Sequence, residues 1–175
     1  FNAAGIETLN INSIGTLGGN AIADLQGTSA KNINVTGTAA LTLTSAVAAA
    51  TANLNASTFT GALTATFATT TYADQSITGG AGNDAITFAA NSLTGGDSVD
   101  LGAGTDTLTF TTNADAGILN VKNTETIKVI NGASDTAAVD LRNVTGLTKL
   151  VVDTATNDTT VYQLADGLAV QLLST

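Results

Sequence analysis

Ala65-Thr66-Phe67, Ile86-Thr87-Phe88 and Leu108-Thr109-Phe110 are one triplet met three times, at intervals of 21 and 22 residues. Each places apolar side chains on either side of a threonine, the period-two alternation of a half-buried strand. The same station extends backward to Leu43-Thr44 and Ile22, and forward to Ile130 and Val152. A second station, half a period away, runs through Ile11, Ile33, Leu54, Ile77, Val99, Val121 and Val144. A fixed period of this size predicts a solenoid, in which each coil hides its inward side chains only by stacking on its neighbours. Roughly eight coils of about 22 residues fit the chain. Each stacked aliphatic contributes about 1.5–3 kcal/mol when fully buried.

Working outward from the triplets, the same alternation recurs in five stretches. These are Glu7-Thr-Leu-Asn-Ile11, Asn32-Ile-Asn-Val-Thr36, Leu41-Thr-Leu-Thr44, Asp106-Thr-Leu-Thr-Phe110 and Thr126-Ile-Lys-Val-Ile130. Thr and β-branched residues favour strands, and the Gly, Asn and Asp between them supply turns. Ser45 to Asn55 is Ala-rich but lacks charged pairs and a clear cap, so it reads as a wider loop. The expected fold is all-β, a parallel β-solenoid of the β-helix or β-roll kind. A β-sandwich also turns every 8–12 residues, but it gives aligned Phe residues one coil apart no role.

Composition narrows the chemistry. The 175 residues hold 33 Thr, 30 Ala, 18 Gly and 16 Asn, and no Cys, His, Met, Pro or Trp. Without His or Cys there is no Ser-His-Asp or Cys-His nucleophile, no zinc finger and no haem ligation of the usual kinds. Lys+Arg is 5 against Asp+Glu 14, a net charge of −9, which argues against a nucleic-acid backbone as partner. Oxygen donors remain, and these suit Ca²⁺. Disorder fits poorly with 11% charged residues and a mean hydropathy of +0.28. The longest uncharged stretch, Asn32 to Ala73, is broken throughout by Thr and Asn and does not read as a membrane span. No signal-peptide pattern is visible, and Phe1 stands where a start Met would, so the chain reads as a piece of a longer protein. The absence of Cys fits a protein stable outside the cell without disulfides.

The candidate cation site is Gly79-Gly-Ala-Gly-Asn-Asp-Ala-Ile-Thr87, which fits G-G-x-G-x-D-x-U-x at every specified position. Glycines open backbone angles closed to other residues and let carbonyl oxygens converge, while the Asp supplies charge. A second copy, Leu101-Gly-Ala-Gly-Thr-Asp-Thr-Leu-Thr109, begins 22 residues later with Leu in place of the first Gly. A side chain at 101 opposes any positive φ there. One coil of separation sets Asp84 and Asp106 on adjacent rungs about 5 Å apart. Two bare carboxylates at that distance repel by about 3 kcal/mol at an effective dielectric of 20, and a divalent cation reverses the sign. Between Asn32 and Val121 there is no Lys or Arg, whereas Asp74, Asp84, Asp97, Asp100, Asp106 and Asp115 all fall there. The loop Thr94-Gly-Gly-Asp-Ser-Val-Asp100 is expected on the opposite turn, with Asp97 and Asp100 as a second candidate pair, joined by Asp115.

The chain resembles the bacterial surface-layer (S-layer) proteins that carry RTX calcium motifs and leave the cell by type I secretion. The resemblance rests on Gly5-Ile-Glu-Thr-Leu-Asn-Ile11, Ser29-Ala-Lys-Asn-Ile-Asn-Val-Thr-Gly37, Leu54-Asn-Ala-Ser-Thr-Phe-Thr-Gly61 and the stretch Ile77 to Asp84. It implies a right-handed parallel β-solenoid with calcium-binding turns. Residues 1–175 would form one segment of a larger surface protein, with the RTX-like region at 77–110. The implied ligands are the Gly80 and Gly82 carbonyls with the Asp84 carboxylate, and the Leu101 and Ala103 carbonyls with Asp106. Gly102 and Gly104 would serve an adjacent ion. The implied role is structural and non-enzymatic, at the bacterial cell surface, with copies of the chain packing into a two-dimensional lattice. Outer-membrane polysaccharide would be a further partner through another region, with no nucleic acid and no membrane insertion. The alternatives are a spacer of a secreted RTX adhesin and the calcium-binding tail of a secreted hydrolase.

Weaker signals have plainer readings. Thr42/Thr44, Thr64/Thr66 and Thr105/Thr107/Thr109 suggest a flat ice-binding face, yet outward Thr is what any solenoid strand prefers. Asn34, Asn55, Asn143 and Asn157 open glycosylation sequons, which chance supplies in a chain this rich in Asn and Thr. Tyr72 and Tyr162 have no partner that suggests catalysis. Asn123-Thr-Glu-Thr-Ile-Lys-Val-Ile130 echoes the opening of the chain and hints at a longer repeated unit.

Overall fold

The computed structural model describes residues 5–16, 18–23, 25, 30–47, 51–67, 74–112, 116–132, 137–154 and 158–173. Every regular element among them is a β-strand. One sheet holds β1 (Thr8–Ser13), β3 (Asn32–Gly37), β5 (Asn53–Asn55), β7 (Ser76–Thr78), β9 (Ser98–Asp100), β11 (Ile118–Lys122), β13 (Ala137–Val144) and β15 (Thr159–Tyr162), paired in that order. The other holds β2 (Asn20–Ile22), β4 (Leu41–Val47), β6 (Leu63–Phe67), β8 (Ala85–Phe88), β10 (Thr107–Thr112), β12 (Thr126–Asn131), β14 (Lys149–Thr154) and β16 (Ala169–Leu173), also in order. Consecutive strands alternate between the sheets, and every pairing is parallel. Each coil therefore lays one rung on each sheet, which makes the chain a parallel β-solenoid. A sandwich would need antiparallel pairs, and the described residues contain none.

The triplets fall into register. Ala65, Ile86 and Leu108 share one inward column, and Phe67, Phe88 and Phe110 share the next. All three Phe rings are buried, and those of Phe67 and Phe88 stack with centroids 5.2 Å apart at 19°. Val47, wholly buried, sits over Phe67 because β4 bulges between Leu43 and Val47. Ser45 to Val47, and Asn53–Asn55 as β5, are thus strand where a loop was expected, the first because a bulge lets Val47 reach the aromatic column. Residues 48–50 of that stretch lie outside the described residues.

Three register expectations need correction. The column leaving Leu108 continues to Ile127 and Leu150, not to Ile130 and Val152. Thr107 pairs with Thr126 after only 19 residues, so a 22-residue count overshoots there. In the other sheet Ile33 stacks on Leu9, and Ile11 stacks on Val35. From Ile33 the expected column through Leu54, Ile77, Val99, Val121 and Val144 holds. The outward threonines align as Thr42 on Thr64 and Thr66 on Thr87 on Thr109. Ala85 interrupts the first file, and Thr105 stands in a corner before β10 rather than on the face.

Candidate metal centre

The turns that lead from β5 to β6, from β7 to β8 and from β9 to β10 stack into one corner of the solenoid, and both nonapeptides lie there. Adjacent turns pack backbone on backbone. A Cβ on Gly80 would stand 2.1 Å from the Phe59 carbonyl oxygen, and one on Gly82 would stand 2.3 Å from that of Gly61. The second copy repeats the contact, with Gly102 against the Gly80 oxygen and Gly104 against that of Gly82. Glycine is required here because the neighbouring carbonyl already fills the space of a side chain.

Gly79 follows the same rule, since a Cβ there would stand 2.3 Å from the Leu101 carbonyl oxygen. Position 101 does not, and Leu101 has no positive φ to oppose its side chain. Leu101 is wholly buried and joins the core. The departure from the nonapeptide thus replaces a glycine with a core residue.

The structure brings Asp84 and Asp106 face to face. The Asp84 backbone N–H donates to Asp106 Oδ1 at 2.7 Å. Asp84 in turn accepts the Leu63 N–H of the preceding coil on Oδ1 and the Gly80 N–H on Oδ2, both at 2.8 Å. The Asp106 N–H donates to Glu125 Oε2 at 2.7 Å. Acids on three successive coils therefore each cap the backbone N–H one coil back, just before a strand begins. Glu125 was missed in the sequence, although Glu125-Thr-Ile127 stands at the same station as Asp84-Ala-Ile86 and Asp106-Thr-Leu108.

One atom of this ladder is left over. Asp106 is wholly buried, and its Oδ2 has no hydrogen-bond partner. Desolvation by burial, with the charges of Asp84 and Glu125 adding to it, pushes the Asp106 carboxyl up to about 6. Burial also raises Asp84, against the pull of its two backbone N–H donors. No ion pair reaches these acids among the described residues: Lys128 pairs with Asp153 at 3.1 Å and Arg142 with Asp140 at 2.5 Å, while Lys122 and Lys149 meet the corner through their backbones.

A hard cation fits this corner in part. The donor set is oxygen only, which suits Ca²⁺, and an ion would supply the partner that Asp106 Oδ2 lacks. The Leu101 carbonyl oxygen and Asp84 Oδ2 both crowd Gly79, 2.3 and 2.6 Å from where its Cβ would stand. Two oxygens of adjacent coils thus lie close together, although that point itself is too near the Gly79 backbone to seat an ion. The Gly80 carbonyl is taken by the Ala103 N–H at 2.9 Å, and the Gly82 carbonyl lies against Gly104 as the Leu101 carbonyl lies against Gly79. Ala103 itself is exposed at the rim. No three acidic side chains converge on one point among the described residues, so backbone oxygens would have to complete any shell.

The second candidate pair is divided. Asp97 precedes β9 and points inward, whereas Asp100 closes β9 and faces out. Residues three apart on a strand project to opposite faces, about 10 Å apart along the chain. Asp97 accepts the Gln75 N–H at 2.7 Å on Oδ1, and on Oδ2 the Thr94 N–H at 2.6 Å and the Thr94 hydroxyl at 3.1 Å. Its carboxyl is raised by burial and by the nearby Asp74 charge. Asp100 instead accepts the Gly102 N–H at 3.2 Å and the Asn123 side-chain amide at 2.7 Å. Asp115, Tyr72 and Asn157 lie outside the described residues.

No protein-family model, curated protein or solved structure matches this chain.

Proposed function

We propose that the chain is a structural segment of a bacterial surface-layer protein, secreted and ordered by Ca²⁺ at the 79–106 corner. The observation that carries this reading is the unpartnered, buried Asp106 Oδ2 in a ladder of three acids that no ion pair among the described residues neutralises. Asp84, Asp106 and the Leu101 carbonyl are the groups that would hold the ion, and Glu125 would add negative charge one coil further on. Bound Ca²⁺ would supply the positive charge that lets these buried carboxylates stay ionised together. An ion that binds only the folded chain stabilises it by mass action. Abundant calcium outside the cell then favours the stacked coils, while scarce calcium inside leaves carboxylate repulsion to oppose them. A non-enzymatic role is supported by the composition, which lacks the His and Cys that acyl-transfer chemistry relies on.

The lattice is tested by electron microscopy of the protein at high concentration, in calcium and in excess chelator. Ordered two-dimensional sheets that form in calcium and disperse in chelator are expected. Dispersed rods in both conditions would contradict the surface-layer role.

A further inference from the structure

The outer face of the first sheet carries a feature that the calcium corner does not use. A shallow groove of about 570 Å³ crosses β1, β3, β5 and β7, lined chiefly by Thr8, Asn32, Asn34, Asn53, Asn55 and Ser76. No ionisable side chain lines it, in a chain of net charge −9. We propose that this groove is a binding site for a neutral, hydroxyl-rich glycan chain running across the rungs.

The amides are held in place before any ligand arrives. Asn53 Nδ2 donates to Asn32 Oδ1 at 2.8 Å, and Asn34 Nδ2 donates to Asn10 Oδ1 at 2.8 Å. Asn55 Oδ1 accepts the Ser57 N–H at 3.0 Å, which fixes the groove's edge at the corner. Parallel pairing in register, Asn32 on Asn53 and Asn34 on Asn55, repeats these groups every coil, about 4.8 Å apart. Each side-chain amide has two N–H groups and two acceptor lone pairs, and a ladder link uses one of either kind. The second N–H of Asn34 and of Asn53, and both of their carbonyl oxygens, are therefore not used by these ladder links, on residues that line the groove.

Such paired donors and acceptors match vicinal hydroxyls, each of which both gives and takes a hydrogen bond. A phosphate or carboxylate ligand would need a cation that the groove lacks, and a metal would need a carboxylate. An apolar ligand would find short polar side chains, since Leu54, the one apolar residue of the lining, is buried in the core. A single sugar competes poorly with water for exposed amides, but a polymer engages several rungs at once, and multivalency raises its affinity. Pre-set amides also reduce the ordering cost of binding.

The test is affinity electrophoresis of the native protein through gels cast with dextran, mannan or hyaluronan, in calcium. Retardation by dextran or mannan and none by the anionic hyaluronan is expected. Loss of two hydrogen-bonding amides in Asn34→Ala/Asn53→Ala should weaken the apparent affinity about tenfold. Thr64→Ala/Thr66→Ala, on the opposite sheet, should bind as the parent does. Because the double variant removes ladder bonds, Ser76→Arg serves beside it: an exposed position whose long side chain fills the groove without entering the core. No retardation by either neutral glycan, retardation by hyaluronan alone, or undiminished binding by Ser76→Arg would each overturn the proposal. None of these outcomes depends on whether Asp106 holds an ion.

Discussion

Asp97 and Asp106 occupy opposite corners of the same solenoid, both are buried, and both cap a backbone N–H one coil back. Asp97 is complete, with N–H or O–H donors on both oxygens. Asp106 is not, because its Oδ2 is buried without a partner. The difference lies in the turns. Thr94, three residues before Asp97, folds back to supply both a backbone and a side-chain donor. The corresponding donor to Asp84 is the Gly80 N–H, and no donor reaches Asp106 Oδ2. An aspartate in a Gly-rich turn is therefore not by itself a cation ligand. What distinguishes the two corners is an oxygen left unpaired.

The largest effect expected is at Leu101. Restoring the nonapeptide with Leu101→Gly removes a wholly buried side chain, and thermal unfolding should report a loss of about 2–5 kcal/mol despite the better motif. Next is Asp97→Ala, which leaves the Gln75 and Thr94 N–H groups unpaired. Denaturant titration should show about 2–4 kcal/mol lost, equally in calcium and in chelator. A difference between the two conditions would erase the contrast between the corners.

Glycines sharpen it further. Gly80→Ala forces a Cβ to 2.1 Å from the Phe59 oxygen and should cost about 1–3 kcal/mol by overpacking. Gly95→Ala, in the opposite corner, meets nothing closer than 3.2 Å, so its melting temperature should fall by less. The smallest effect is the pH profile. Asp106 is raised from 3.8 to about 6 on folding, so the folded chain holds the proton more tightly than the unfolded one. Its stabilising contribution is then present below about 4 and lost as pH rises through about 6. In chelator, melting temperature should decline across that window. In saturating calcium the decline should vanish or reverse, because protons then compete with the ion.

The stacking was legible because Thr-Phe triplets recur at one period and a parallel sheet keeps equivalent residues in line. It stopped being legible where a coil shortens, since the 19-residue step from Thr107 to Thr126 has no local mark in the sequence. The Asp84/Asp106 apposition followed from the same period. The grouping of Asp97 with Asp100 read spacing without strand parity: Ser98–Asp100 is a strand, and an odd interval sends the two carboxylates to opposite faces. Glu125 escaped notice because its turn lacks the glycines of the nonapeptide, although its position one residue before a strand matches Asp84 and Asp106. Which carbonyls remain open could not be read from residue types at all. That depends on how closely adjacent turns approach, as the Gly80–Ala103 bond illustrates.

The most direct test is calcium titration of the melting temperature for the parent chain, Asp97→Asn and Asp106→Asn. An ion at a hundredfold excess over its dissociation constant adds about 2.7 kcal/mol to a chain that binds it only when folded. The parent and Asp97→Asn should both gain this increment, and Asp106→Asn should lose most of it. A parent indifferent to calcium, or an Asp106→Asn variant that responds in full, would contradict the assignment of the ion to this corner.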